Sequence, residues 1–305
     1  MARRLSQALA FPITILAILL SAAPGRAAAG MDVEATLPVD GVSRSYILHL
    51  PPAAAGGNPL PLVVVLHGGG ANADSAIALT GFSAEADAEG FIVAYPNGTG
   101  RLRPTTETAG QFSWNAGDCC GAAMRRDADD VGFLRTLVST IEQERAVDRH
   151  RIYAAGFSAG GMMAYRLACD AGDIFAGIAV VSGAILLPSC TPSRPVSVIH
   201  IHGTGDEAVP FKGTAERESY ARAKFPPVRE SVAFWAAFDG CRTQPVARAT
   251  VLGIKAEDYP DCKAGTAVRF DVVEGGIHAW PDGTDTPGFV ATPHIWHFFA
   301  DHPRL

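Results

Sequence analysis

The stretch at residues 154–161, AAGFSAGG, restricts the fold more than any other part of this 305-residue chain. A short apolar, β-prone run at 151–155 leads into it, and a helical pattern at 162–168 follows it. Gly-x-Ser-x-Gly between a strand and a helix is typical of a sharp turn, whose glycines allow close backbone approach while the serine stays accessible. The pattern therefore predicts Ser158 as a nucleophile at a helix N-terminus, where negative charge is stabilised. The alternative is a glycine-rich turn without chemistry.

A serine nucleophile needs a base and a third group that orients this base, and two later segments provide candidates. Residues 196–202 predict a buried strand that ends shortly before Asp206, and residues 267–273 predict a strand followed by a glycine-rich loop carrying His278. Loops at the carboxyl ends of parallel strands lie along one edge of a sheet. The order Ser158, Asp206, His278 is that of the α/β-hydrolase triad, so we predict these residues as nucleophile, acid and base.

Other histidines and acids fit these roles less well. Glu207 is the one credible substitute for the acid, because it is adjacent to Asp206. Several further residues are expected to pack, to support the site or to lie at the surface: His200, His202, His294, His297, Asp271 and Asp282.

An oxyanion hole requires two backbone N–H donors directed at the developing alkoxide. Ala159, directly after the nucleophile, is one candidate. The apolar strand predicted at 61–66 runs straight into His67-Gly68-Gly69-Gly70, a pattern typical of the oxyanion loop of lipases and esterases. We predict Gly69 as the second donor, with Gly70 as the nearest substitute, and a structural role for His67.

The wider pattern predicts an α/β fold with a mainly parallel sheet and helices on both faces. An initial hairpin at 32–51 is followed by alternating strands and helices, including a strand at 91–96 and a strong helix at 129–145. Asp129 and Asp130 are interpreted as charges at the N-terminus of this helix.

Two long segments, 97–124 and 211–227, are expected to form the rim of the active site, because long irregular loops are usually functional or mobile. The predicted substrate-rim residues are Trp114, Asn115, Phe157 and Trp280.

Six cysteines in an exported chain indicate disulfides. We expect Cys241 to pair with Cys262, and Cys169 with Cys190. Cys119 and Cys120 can then close a vicinal ring or pair elsewhere. A zinc site is the weaker alternative, because no Cys-x-x-Cys spacing occurs.

The first 29 residues predict a signal peptide, with Arg3-Arg4, a short apolar run and a small-residue cleavage zone. Residues 30–305 are expected to form one catalytic domain, exported to the periplasm or the extracellular space. The apolar run is about 12 residues, too short for a stable membrane anchor. The net charge of −6, without a basic stripe, argues against nucleic-acid binding.

Together, seven motifs resemble the secreted polyhydroxybutyrate depolymerase and feruloyl esterase family of α/β-hydrolases. They are HGG at 67–69, WNAG at 114–117, CCG at 119–121, DDVGFL at 129–134, GFSAGG at 156–161, HGTxD at 202–206 and GGxHxWP at 275–281.

This resemblance implies a serine carboxylic ester hydrolase that works through an acyl-enzyme, without cofactor or metal. Its substrate would be a polyester oligomer or a plant-cell-wall ester carrying a hydroxycinnamoyl or acetyl group. The alternatives are a prolyl-oligopeptidase-like serine peptidase, whose usual extra domain this chain has no room for, and a non-catalytic binding module on a hydrolase scaffold.

Overall fold

The computed structural model describes residues 29–39, 41–100, 111–119, 121–214, 223–248, 250 and 253–305. Apart from Ala29, the predicted signal peptide lies outside the described residues. Across the described ranges, no helix is both long and apolar enough to cross a membrane.

The structure contains strands and helices that alternate along much of the chain. The strands are β1 (Met31–Val39), β2 (Val42–Leu50), β3 (Leu60–Leu66), β4 (Ile92–Pro96), β5 (Thr99–Gly100), β6 (Phe112–Ser113), β7 (Val147–Phe157), β8 (Gly177–Val181), β9 (Ser197–Gly203), β10 (Val246–Ala247), β11 (Ile254–Tyr259) and β12 (Val268–Val273). The helices are α1 (Ala73–Thr80), α2 (Phe82–Glu89), α3 (Ala122–Arg125), α4 (Asp130–Glu144), α5 (Ala159–Asp170), α6 (Val228–Phe238) and α7 (Ala291–Asp301).

Ten of these strands form one sheet in the order β1-β2-β4-β3-β7-β8-β9-β12-β11-β10. The six central strands from β4 to β12 are parallel, whereas both outer pairs run antiparallel. The carboxyl ends of β3, β7, β9 and β12 therefore point to the same edge of the sheet. This topology brings the four motifs that follow these strands to one edge.

Helices cover both faces of the sheet, as predicted. In β3 the side chains alternate between the two cores: Leu62, Val64 and Leu66 belong to the core that includes residues of α4, α5 and α6, while Val63 and Val65 belong to the core that includes residues of α1, α2 and α7. A strand buried on both faces reads as a continuous apolar run, which is why the segment LPLVVVL was recognisable from sequence.

Two disulfides join the pairs that the sequence favoured, Cys169–Cys190 and Cys241–Cys262. The first ties the end of α5 to the segment after β8, and the second ties the end of α6 to the segment after β11. Cys119 is buried, but Cys120, its candidate partner in a vicinal ring, lies outside the described residues.

We expect the double substitution Cys241→Ser and Cys262→Ser to lower stability while sparing activity. The bond closes a loop with a sequence separation of 21 residues and joins the segments after α6 and β11, which carry none of the predicted triad residues. A loop of this size corresponds to a loss of about 3 kcal/mol in the free energy of unfolding. Chemical denaturation together with an activity assay below the transition measures both; loss of turnover in the folded variant would contradict the prediction.

A buried carboxyl group makes stability depend on pH. Asp239, at the end of α6, is fully buried, and its Oδ1 accepts a 3.4 Å hydrogen bond from the Val196 N–H. Burial raises the pKa of Asp239 to about 7, so the folded state favours the protonated acid. The unfolded chain releases this proton at lower pH, and the folded state is therefore increasingly disfavoured as the pH rises from about 4 to about 7.

Asp239→Asn is expected to remove this penalty while keeping an acceptor for the Val196 N–H. The gain in the free energy of unfolding should be small near pH 4 and reach about 2 to 4 kcal/mol at pH 8. Thermal unfolding of both proteins across this range measures the difference. A gain that does not change with pH would show that Asp239 is not the titrating group.

Candidate active site

Ser158 sits at a strained turn between β7 and α5. Its backbone angles, φ 55° and ψ −120°, are unusual for a non-glycine residue and place the side chain outside the strand and the helix. A Cβ on Gly156 would collide with the carbonyl oxygen of Gly160, and a Cβ on Gly160 with that of Leu66. Both glycines of the motif are thus required by close backbone approach, as the sequence indicated.

The structure brings Ser158, His278 and Asp206 into one hydrogen-bonded row. His278 Nε2 lies 3.0 Å from Ser158 Oγ, and His278 Nδ1 lies 2.8 Å from Asp206 Oδ2. Because a carboxylate can only accept, Nδ1 carries the proton and Nε2 is left free to accept the serine proton. This is the arrangement that activates a serine for nucleophilic attack.

The loops that carry the acid and the histidine are joined to each other by hydrogen bonds. Gly205 N–H donates to Gly276 O over 2.9 Å, and Gly275 N–H donates to Thr204 Oγ1 over 2.8 Å. A Cβ on Gly203 would collide with Gly276, so this contact also needs a glycine. These contacts between the two loops therefore hold His278 Nδ1 and Asp206 Oδ2 at 2.8 Å from each other.

Asp206 is almost completely buried, and its second carboxylate oxygen is occupied as well. Oδ1 accepts the N–H groups of Ala208 at 2.9 Å and Val209 at 2.8 Å. Burial acts to raise the pKa of Asp206, but the hydrogen bonds from His278 and Val209 outweigh it and hold this pKa below its ordinary value. Asp206 is therefore ionised at neutral pH, as an acid that stabilises imidazolium must be.

The two residues predicted as oxyanion donors, Gly69 and Ala159, lie next to each other beside the serine. Ala159 N–H is the first of α5, and the opening N–H groups of a helix have no acceptor within it. A Cβ on Gly69 would lie 3.6 Å from the Ala159 Cβ, so the two residues are neighbours. Gly70 N–H is bound to Phe112 O at 2.8 Å, which favours Gly69 over Gly70 as the second donor.

His67 fixes the shape of the glycine loop, the structural role predicted for it. Gly98 N–H donates to Nε2 over 3.0 Å, so the proton of the neutral ring is on Nδ1, which donates to Gly68 O over 2.7 Å. Burial lowers the pKa of His67 to about 4 and keeps the ring neutral. His67 is a poor base, because its pKa is low and its one acceptor nitrogen, Nε2, is already bound to Gly98 N–H.

Trp114 and Asn115 were predicted at the substrate rim, and the structure shows that this is wrong. Trp114 is fully buried, its ring centroid lies 4.8 Å from that of His67, and its Nε1–H donates to His67 O over 2.9 Å. Asn115 is also buried, with its amide bound to Asp127 and Ala128. The Trp114 side chain supports the glycine loop at 67–70 from within, because its ring gains more from burial, with its N–H satisfied, than from exposure. The Asn115 side chain instead binds the turn that precedes α4.

Asp130 holds this segment in place, a role that the sequence did not reveal. Asp129 caps α4 as expected, accepting the Gly132 N–H at 2.8 Å. Asp130, however, is fully buried and accepts Arg44 Nη2 at 2.8 Å, Thr99 Oγ1 at 3.0 Å and Asn115 N–H at 2.7 Å. Arg44 comes from β2, so no local pattern could have indicated this buried ion pair.

A cavity of about 600 Å³ opens over the serine. Its walls are mainly apolar, and no Asp, Glu, Lys or Arg is among the described residues that line it. The lining includes Ala76, Leu79, Phe157, Met162, Val209 and Phe225. The cavity therefore fits an uncharged group attached to the reacting carbonyl.

Of the four predicted rim residues, Phe157 alone lines this cavity; its ring lies 4.8 Å from that of His278. Trp280 is buried between α2 and α7, edge-on to Phe82 with Nε1–H donating to Thr292 Oγ1, so its predicted place at the rim is wrong. The long segments contribute through other residues: Ser113 and Gly121 from the first, and Phe225 from the second.

The hydrogen-bonded row from Ser158 to Asp206 includes none of the competing residues Glu207, Asp271, His294 and His297. Glu207 is exposed to solvent, away from the 2.8 Å contact between Asp206 and His278. His294 Nε2 pairs with Asp271 Oδ2 at 2.8 Å on the α7 face of the sheet, and His297 is exposed on the same helix.

Comparison with known proteins decides the family. Residues 44–215, more than half of the chain, match the profile of the family described as Esterase PHB depolymerase. The chain belongs to this family.

Two relatives align with most of the chain. NocK of Nocardia uniformis subsp. tsuyamanensis, an esterase by name, is 34% identical over 263 residues, which are 81% of the chain and 73% of that protein. Feruloyl esterase B of Piromyces equi is 31% identical over 252 residues, which are 79% of the chain but 43% of that protein, so the chain spans less than half of its length.

Among solved structures, an acetyl xylan esterase from Aspergillus awamori superposes with a TM-score of 0.64 at 15% identity, covering 89% of the chain and 100% of that structure. At this identity the similarity concerns the fold alone, and it confirms the predicted α/β-hydrolase fold. The resemblance seen in the sequence and the family membership agree, and both make the chain a carboxylic ester hydrolase.

Proposed function

We propose that this esterase uses Ser158, His278 and Asp206 to hydrolyse uncharged carboxylic esters through an acyl-enzyme. The single observation that carries the proposal is the row from Ser158 Oγ to His278 Nε2, at 3.0 Å, and from His278 Nδ1 to Asp206 Oδ2, at 2.8 Å. The family membership supports it independently of this geometry. The comparisons favour an ester hydrolase over the peptidase alternative.

In the first half of the reaction, Ser158 Oγ attacks the ester carbonyl while His278 Nε2 takes its proton. The N–H groups of Gly69 and Ala159 stabilise the negative oxygen of the tetrahedral intermediate. The imidazolium, stabilised by Asp206, returns the proton to the leaving alcohol. In the second half, water attacks the acyl-enzyme with the same histidine as base and releases the acid.

For the substrate we propose a polyester oligomer or a plant-cell-wall ester with a hydroxycinnamoyl or acetyl group. The feruloyl esterase relative supports the plant-cell-wall ester. The uncharged, mainly apolar cavity supports both this ester and the polyester oligomer. A carboxylate in this cavity would lose hydration without gaining a cationic partner, which is costly. We also propose that residues 1–29 direct export, consistent with the two disulfides.

A substrate panel tests this proposal. The panel contains methyl ferulate, a hydroxybutyrate oligomer, acetylated xylan, p-nitrophenyl butyrate and a proline anilide, with Ser158→Ala protein as background. We expect ester cleavage without amide cleavage. Preferred cleavage of the anilide would overturn the assignment.

A charged ester and a neutral one of similar size test the cavity separately. The kcat/KM for p-nitrophenyl hydrogen succinate should be at least about tenfold below that for p-nitrophenyl butyrate, because the succinyl carboxylate has no partner there. Equal values would show that the acyl group does not enter the apolar cavity.

A further inference from the structure

Behind Asp206, three buried side chains form a hydrogen-bonded row that the mechanism above does not use. Tyr165 Oη lies 2.6 Å from His200 Nδ1, and His200 Nε2 lies 3.0 Å from His202 Nδ1. His202 Nε2 then lies 2.8 Å from Val209 O and 3.4 Å from Asp206 Oδ2. The row starts in α5, crosses β9 and ends at the acid of the triad.

The partners fix the direction of every proton in this row. His202 Nε2 faces two acceptors, Val209 O and Asp206 Oδ2, so Nε2 must carry a proton. In a neutral His202 ring, Nδ1 is then an acceptor, which places the neighbouring proton on His200 Nε2. His200 Nδ1 is therefore an acceptor too, and the Tyr165 hydroxyl donates to it.

Both histidines are kept neutral by their surroundings. Burial, together with neighbouring His202, holds the pKa of His200 well below its ordinary value. Burial also lowers the pKa of His202, against the opposing effects of Val209 O and Asp206. The row therefore brings a neutral donor, rather than a second positive charge, to the carboxylate.

His202 Nε2–H faces the same Asp206 oxygen that accepts the hydrogen bond from His278. Asp206 Oδ2 accepts from His278 Nδ1 and faces His202 Nε2, whereas Oδ1 is occupied by two backbone N–H groups. Val209 N–H donates to Oδ1 while Val209 O accepts from His202, so the imidazole also fixes the backbone turn that holds the carboxylate. A displaced Asp206 would move the acceptor of His278 Nδ1.

We infer that His202 is a positioning residue for Asp206, with its tautomer fixed by the two acceptors that Nε2 faces, Val209 O and Asp206 Oδ2. The inference rests on the proposed function, since it concerns how that triad is held. His202 does not line the cavity over Ser158. Its loss should therefore slow the chemical steps without weakening substrate binding.

Two substitutions of different length test the inference. In His202→Gln the amide reaches as far as Nε2 and can still donate to Val209 O and Asp206. In His202→Asn the amide can still face His200 but ends short of Asp206. The control is Tyr165→Phe, which removes a buried hydrogen bond at the far end of the row and leaves the contacts of Asp206 intact.

The measurements are kcat and KM for p-nitrophenyl butyrate, the rate at which a p-nitrophenyl phosphonate modifies Ser158, and the melting temperature. For His202→Asn we expect kcat and the phosphonylation rate to fall by about 10- to 100-fold, with KM unchanged within about twofold. A small displacement of Asp206 relative to His278 has effects of this size on the rate. His202→Gln should recover most of the rate. Tyr165→Phe should lower the melting temperature but keep kcat within about twofold.

Rates for folded His202→Asn equal to those of the wild type, or losses in Tyr165→Phe as large as in His202→Asn, would overturn the inference. Because phosphonylation needs the dyad but not the natural ester, it still tests His202 if the esters of the panel are not cleaved. Failure of the proposed function, in contrast, would appear in the wild-type protein itself.

Discussion

Ser158→Ala is expected to reduce kcat for p-nitrophenyl butyrate by about six orders of magnitude, the usual cost of losing a triad nucleophile. The substitution removes one oxygen atom at the end of β7, with little change in volume. The fold and the melting temperature should therefore be retained. Steady-state kinetics on the folded, purified variant measures the effect.

Ser75→Ala is the matched control for this substitution. Ser75 also lines the cavity, but its hydroxyl donates to Asn72 Oδ1 rather than to His278. We expect its activity to stay within a few-fold of the wild type. Near-normal turnover by Ser158→Ala, or an equal loss in the two variants, would be incompatible with Ser158 as the nucleophile.

Asp206→Asn is expected to reduce kcat by about four orders of magnitude. The amide has about the same size but no negative charge to stabilise the imidazolium of His278. It can also present N–H to Nδ1, which favours the wrong tautomer. Because Asp206 is buried with its partners in place, we expect the backbone turn at 206–209 to persist.

Glu207→Gln is the control for the acid. Glu207 is exposed next to Asp206 in the sequence, so its neutralisation should change kcat by no more than about twofold. The opposite result, a mild Asp206→Asn and a severe Glu207→Gln, would mean that the acid has been assigned to the wrong residue.

The sequence predicted the relative positions of Ser158, Asp206 and His278 better than the positions of the residues around them. Strand-ending motifs are local signals, and parallel strands bring such ends to one edge, so Ser158, Asp206 and His278 could be placed together before any contact was known. The glycines of these motifs were informative as well, because a backbone contact that leaves no room for a Cβ requires glycine at that position.

The rim could not be predicted in this way. Trp114 and Trp280 were expected at the cavity because they lie in loops near the motifs, but both indoles found buried acceptors, His67 O and Thr292 Oγ1. The partner of Asp130 is Arg44, 86 residues earlier, and no short pattern records such a pair. Helix α6 was not predicted either. It follows residues 211–227, which were interpreted only as part of the rim.

The most direct test of Ser158 as the nucleophile is to trap the reaction at this serine. The protein is incubated with a p-nitrophenyl phosphonate, which forms a stable analogue of the acyl-enzyme, and is then analysed by intact mass and by peptide mapping. We expect one adduct per chain, located on Ser158, formed in parallel with the loss of esterase activity. An adduct on another residue, or complete inhibition with Ser158 unmodified, would contradict it.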